Sequence, residues 1–206
     1  MSFSCTKKDE SIELENQVFA DIFPQMLDSI CIDRRLMVPP PFIISEENFS
    51  DVKDYEKNKL EYEEEVKRIK NDTLNIVIAI PDSIGQLNFM EISRIKNKFK
   101  QKGILLDTLE LKPHKFNISV FQNKTKYKLK YASTFPKRDA IWITKYKFNL
   151  AGYLFFSRVR FDSKKEFAAI TAGYMCGHLC GSGFIIYIRK IKNKWVIDQI
   201  EKTWIS

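Results

Sequence analysis

The stretch YMCGHLCGSGF, residues 174–184, gathers two cysteines, one histidine and three glycines. Three chemistries use such residues: a metal site, a redox pair or a disulfide. Cys176 and Cys180 are separated by three residues, not the two of a thioredoxin-type pair, and no histidine follows directly as haem attachment requires. A structural zinc site needs four ligands. Cys176, His178 and Cys180 supply three, and the only other histidine, His114, would have to arrive from a distant part of the chain. No metal and no cofactor is therefore expected.

A disulfide needs its Cα atoms within about 7 Å, whereas residues four apart on a straight strand are about 13 Å apart. The pairing demands a tight turn, and Gly177, Gly181 and Gly183 allow the backbone to make one. The expectation is a structural disulfide that clips a hairpin tip. Free, inert thiols are the alternative. A sharper one is a reactive thiolate whose pKa is lowered by Arg158, a lysine or His178.

Other chemistry-bearing residues are sparse. Arg158 sits in FSRVRF (156–161), and Trp204 closes the chain in TWIS (203–206). Arg158 is expected to pair with a buried acid or the terminal carboxylate. The functional alternative is an anion pocket lined by Arg158, Tyr174 and Trp204, with His178 as a further candidate. No G-x-S-x-G elbow, phosphate-binding glycine loop or H-E-x-x-H motif is present. No catalytic residue is assigned.

These residues must be positioned by the elements around them. ENQVFADIFPQMLDSICID places Val18, Phe19, Ile22, Phe23, Met26, Leu27 and Ile30 at helical spacing, and Pro24 is expected to kink or end that helix. Cys31 continues the stripe as a core thiol. MVPPPF is an extended connector. Ser50 or Asp51 caps a charged helix to about residue 70, with Val52, Tyr55, Leu60, Val66 and Ile69 facing inward. LNIVIAI reads as a buried strand. NFMEISRIKNKFKQKG is an amphipathic helix with Phe89, Ile92, Ile95 and Phe99 on one face and Gly103 as its stop.

Beyond this the period falls to two. In TKYKLKYAS, Tyr127, Leu129 and Tyr131 alternate with lysines, which predicts a half-buried strand. Four further strands are expected near 151–161, 166–175, 183–191 and 195–205, joined by DSKK, CGHLCGSG and KNK. Early helices packed on a late antiparallel meander make an α+β fold, with residues 1–14 as a tether and 15–206 as one domain. A curved sheet like that of the nuclear-transport-factor-2-like fold is compatible with this order.

The 206 residues carry a formal charge of +8, unevenly spread. Residues 1–70 hold ten Lys/Arg against sixteen Asp/Glu, a net of −6. Residues 94–147 hold fifteen against three, a net of +12. An anionic partner is one reading of the basic stretch, although the lysines form no nucleic-acid motif. The other is a solvated face, with the acidic N-terminal part folding against the basic middle.

The opening MSFSCTKKDE has small residues before a cysteine and polar residues after it, like the end of a lipoprotein signal with Cys5 as the lipid anchor. FSRVRF, CGHLCGSG (176–183), NKWVI (193–197) and TWIS together resemble a family of uncharacterised bacterial proteins, many of them predicted lipoproteins. ENQVFADIF is a weaker echo of a Glu-x-x-Val-aromatic helix opening in that family. Arg160 departs from it, standing where the family more often has glycine. The resemblance implies no catalytic residue, and it supports Cys5 as an anchor and a periplasmic or outer-membrane-attached location; the alternative is an ordinary N-terminus with an incidental cysteine, and a cytoplasmic protein. The expected function is a non-catalytic, extracytoplasmic binding domain. The alternatives are a small-molecule-binding or weakly enzymatic module with a conical sheet, and an anion or nucleic-acid binder using residues 94–147.

Overall fold

A computed structural model describes residues 10–32, 52–71, 75–85, 89–107 and 110–206. Cys5, the MVPPPF connector and the caps Ser50 and Asp51 lie outside the described residues, as do the side chains of Val52, Tyr55 and Phe89. The architecture is α+β, built on an open, mixed seven-stranded sheet.

Helix α1 (Glu10–Ile30) carries the predicted apolar stripe, and every one of its seven apolar positions is buried. The helix does not end at Pro24 but runs through it. Proline in a helix interior costs about 3 kcal/mol. Met26, Leu27 and Ile30, all beyond Pro24 and all buried, offset that by roughly 1.5–3 kcal/mol each. The helix also starts before residue 15, so residues 10–14 are not tether. Ser11 and Glu15 both reach Arg158, which draws the first turn onto the domain.

Helix α2 (Val52–Lys70) forms as expected but buries none of its described side chains. Leu60, expected to face inward, is exposed, while Val66 and Ile69 are half-buried. Pairs such as the bidentate Arg68–Glu65 contact support a helix that lacks a continuous apolar stripe.

Strand β1 (Ile76–Ile80) is buried along its whole length, β2 (Ser83–Ile84) follows, and α3 (Phe89–Gln101) ends at Gly103. Gly103 adopts φ 71° while Ile104 N–H bonds back to Phe99 O, a glycine-stopped helix end as expected. Strand β3 (His114–Lys115) pairs with β2. A 3-10 turn at Ile118–Phe121 leads to β4 (Lys128–Tyr131), and the short helix α4 (Ala140–Ile143) precedes β5 (Asn149–Phe156). Then come β6 (Arg160–Phe161), β7 (Phe167–Gly177), β8 (Cys180–Ile191) and β9 (Lys194–Ile205).

The strand order is β4-β1-β5-β7-β8-β9, with β6 paired to β7. Strands β5, β7, β8 and β9 form the predicted antiparallel meander. Strand β1 runs parallel to both neighbours, a pairing the local pattern did not reveal. At the β8–β9 turn Lys192 and Asn193 both have positive φ, which matches the right-handed twist of a tight hairpin.

The expected strand over 151–161 is broken at residues 157–159. Val159 N–H is diverted to the Glu15 carboxylate, and Arg158 N–H to Gly85 O. Alternation along the strands then defines two faces. On the first, α1 packs against β1, β5, β7 and β8. Phe19, Phe23, Phe116, Phe121 and Phe156 interlock there, with ring centroids 4.5–6.2 Å apart. On the second face, α3 covers Ala169, Ile185 and Tyr187 at one end. Phe135, Ile141, Tyr146 and Phe148 cover Val77 and Ala79 at the other. Between these two covers Phe155 and Trp204 stay partly exposed.

Candidate functional site

Arg158 meets a buried acid, as one reading of the sequence had it. The acid is Glu15, fully buried on the apolar stripe of α1. Arg158 Nε donates to Glu15 Oε2 at 3.0 Å, and His114 Nε2 lies 2.6 Å from the same oxygen. The other carboxylate oxygen accepts from Val159 N–H. The guanidinium also donates to Lys112 O (2.8 Å) and Ser11 Oγ (3.2 Å). His114 Nδ1 sits 2.8 Å from Lys115 O. Both ring nitrogens thus have an oxygen within hydrogen-bond distance. Burying a carboxylate is costly unless it is paired and hydrogen-bonded, and Glu15 is both. The cluster ties α1 to β3 and to the break after β5. It is a clamp, and a cavity of about 50 Å³ lies beside it, lined by Ser11, Asp107, Arg158, Arg160 and Lys165. Burial holds the Arg160 guanidinium below its ordinary pKa; Asp107 opposes that shift and Arg158 adds to it.

The anion pocket expected from Arg158, Tyr174 and Trp204 is not assembled. Tyr174 is buried, and its hydroxyl donates to Ala151 O at 2.8 Å. Trp204 lies on the second face, opposite Gly183. Arg158 is spent on Glu15. The three residues point to three different environments because burial, not proximity in sequence, selects their partners.

At the hairpin tip Cys176 and Cys180 form a disulfide, with Cα atoms 5.1 Å apart. A register shift between Met175 and Gly177 bulges the strand at Cys176, and Gly177 pairs with Cys180 across a two-residue turn. That bulge supplies the tight bend the spacing required. His178 is on the turn, 3.6 Å from Asp139 and away from His114, which is held by Glu15. Among the described residues no group of three or more His, Cys, Asp or Glu side chains could hold a metal. Cys31 is a buried free thiol whose pKa is pushed up by burial, as fits a core residue rather than a nucleophile.

Two clefts flank α4 on the second face. One, of about 440 Å³, is lined by Phe135, Arg138, Asp139, Trp142, Tyr153 and Met175. The other, of about 400 Å³, runs from Trp142 and Tyr146 to Cys176 and His178 at the clipped hairpin. Burial and the charge of Asp82 push the Tyr153 hydroxyl above its ordinary pKa, so it stays neutral, with an apolar ring beside an uncharged polar tip. Five phenylalanines pack in the interior beneath α1, where the alternative reading would place a conical ligand cavity.

Four cations of the basic middle are paired, three of them from an unexpected side. Arg94 and Lys98 pair with Glu201, and Lys102 with Asp198, both acids on β9. Lys126, pairing with Asp28, follows the expected contact with the acidic N-terminal part. Among the described residues no helix is long and apolar enough to cross a membrane.

Glu15 was visible in the sequence as a carboxylate at helical spacing from Phe19 and Ile22, a polar residue on a stripe that must be buried. Trp142, Tyr153 and Phe155 carried no comparable signal, because only the folded sheet brings them to one surface. Fold and site define an α+β domain with a closed ionic clamp on one side and an open aromatic surface on the other. No family model matches the chain, and no curated protein or solved structure is similar to it.

Proposed function

We propose that this protein is a non-catalytic binding domain whose working surface is the second face of the sheet. The observation that carries the reading is the aromatic cleft of about 440 Å³ between Trp142, Phe135, Tyr153 and Met175. Ligand sites are mostly apolar concavities with a few polar groups at the rim, and Ser133, Arg138 and Asp139 supply that rim. The bonded Cys176–Cys180 pair supports an oxidising, extracytoplasmic location. Cys5 is the proposed lipid anchor that would tether the domain to a membrane.

The test uses anilinonaphthalene sulfonate, a dye that brightens in apolar clefts. The native protein is expected to bind it, and Trp142→Ala to lose most of the fluorescence gain with unchanged secondary structure. Dye binding that survives both Trp142→Ala and Tyr153→Ala would remove the cleft from consideration.

A further inference from the structure

One row of paired residues crosses four strands on the second face: Phe155 on β5, Gly173 on β7, Gly183 on β8 and Trp204 on β9. The two glycines decide how the two rings lie. A Cβ on Gly173 would fall 2.1 Å from Phe155 Cζ. A Cβ on Gly183 would fall 1.8 Å from Trp204 Nε1, and one on Gly181 3.1 Å from its Cζ3. Both rings therefore lie down on the sheet, in the space that side chains at these positions would take. Packing over glycine accounts for the lower face of each ring. It does not account for the upper faces, since Phe155 is 36% and Trp204 41% exposed.

Polar groups flank the rings along both strand directions. Two residues away, about 6.7 Å along the strand, Thr171 shares the face with Gly173, and its hydroxyl lies 3.4 Å from Glu91 Oε2. Glu201 pairs with Ile185, two residues from Gly183, and is held by Arg94 and Lys98 at 2.8 Å each. In the other direction Ser206 lies beside Gly181, and Met175 and Tyr153 lead into the cleft rimmed by Arg138 and Asp139.

We propose that Phe155 and Trp204 form a stacking platform for the pyranose rings of a neutral oligosaccharide. This rests on the reading of the second face as the binding surface. A pyranose presents an apolar face of C–H groups and a rim of hydroxyls. The apolar face suits a flat ring with one side open to solvent. The hydroxyl rim suits carboxylates and guanidinium groups, which make charge-assisted hydrogen bonds. A nucleic acid would stack as well, but its phosphates need unspent cations. Here Arg94 and Lys98 are occupied by Glu201, and Glu91 adds a further negative charge to the rim.

The experiment titrates the full chain with cellotetraose, maltotetraose and chitotetraose, and reads tryptophan fluorescence and the NMR signals of the Trp204 indole. At least one sugar is expected to bind in the millimolar range or tighter. Trp204→Ala is expected to weaken that sugar roughly tenfold or more, and Trp204→Phe to restore part of the loss. Gly183→Ala removes no contact group but lifts the indole, and is expected to weaken binding as Trp204→Ala does. Circular dichroism and thermal unfolding confirm that each variant folds. No response to any of the three sugars at about 1 mM, or full affinity in a folded Gly183→Ala, overturns the proposal. Binding of a single-stranded oligonucleotide in place of the sugars also overturns it. If the dye still occupies the Trp142 cleft while the sugars fail, only the sugar reading falls. If both fail, the second face is not a binding surface.

Discussion

The two faces of one sheet are finished in opposite ways. Beneath α1, five phenylalanine rings interlock and a buried carboxylate has a donor for each of its oxygens. Across the same strands, on the other side, aromatic rings lie over glycine and stay partly exposed, and the covers among the described residues sit at the two ends. The strands β5, β7 and β8 serve both faces by alternation, so the contrast cannot come from the backbone. It comes from what is packed above. A 21-residue amphipathic helix lies on the first face. The second has a 13-residue helix at one end and a 4-residue helix with its loops at the other. The first face is sealed by its helix, while Phe155 and Trp204 on the second stay partly exposed.

The largest break in this comparison should come from the clamp. Glu15→Ala leaves Arg158 buried without its counter-charge, and is expected to cost about 3–5 kcal/mol in urea unfolding. Replacing both Glu15 and Arg158 by apolar residues should cost much less than the two single changes added together. Additive losses would mean that the pair is not energetically coupled.

Paired phenylalanines on the two faces sharpen the contrast. Phe23→Ala should cost about 3–5 kcal/mol, because it opens a cavity among four other rings. Phe155→Ala should cost only about 1 kcal/mol, since its ring is already partly in water. Equal losses would show that the second face is as much a part of the core as the first.

The hairpin clip comes next. Reduction of Cys176–Cys180, or changing both to serine, is expected to lower stability by about 2 kcal/mol from the entropy of so small a ring. Intact mass after alkylation, with and without prior reduction, checks the bond itself. Protein exported through an oxidising compartment should resist labelling at both positions until reduced.

The smallest effect belongs to Glu201. The hydrogen bond from Lys98, aided by the charges of Lys98 and Arg94, holds its carboxyl below the ordinary carboxylate range against the opposing effect of burial. Such a depressed group adds stability above its unfolded pKa and loses it as the pH falls through the folded value. The site is partly exposed, so screening leaves roughly 0.5 kcal/mol. Glu201→Gln should therefore show its cost at neutral pH and none in strong acid, in paired unfolding curves.

Much of this architecture was legible because it is local. The stripe of α1, the Gly103 stop, the IVIAI strand and the hairpins of the meander all follow from spacing and turn residues within a few positions. Pro24 does not end the helix, since its local cost is outweighed by burial further along it. Leu60 misled, because helical spacing cannot say whether anything packs against the stripe. Tyr174, Trp204 and Arg158 were each conspicuous, but their grouping was wrong. Their partners, Ala151, Gly183 and Glu15, are 23, 21 and 143 residues away in the chain.

The amino-acid order by itself determined the elements of this protein, the α+β class and the tight turn that brings Cys176 to Cys180. These depend on backbone preferences and on periodicities of 3.6 and 2, which act between near neighbours. Only the tertiary structure decided that β1 runs parallel to β4 and β5, that Glu15 is the acid beneath Arg158, and that two glycines lay Phe155 and Trp204 flat on an open face. Register across a sheet and the pairing of buried charges are settled by burial of the whole chain at once, and no short window of sequence contains that sum.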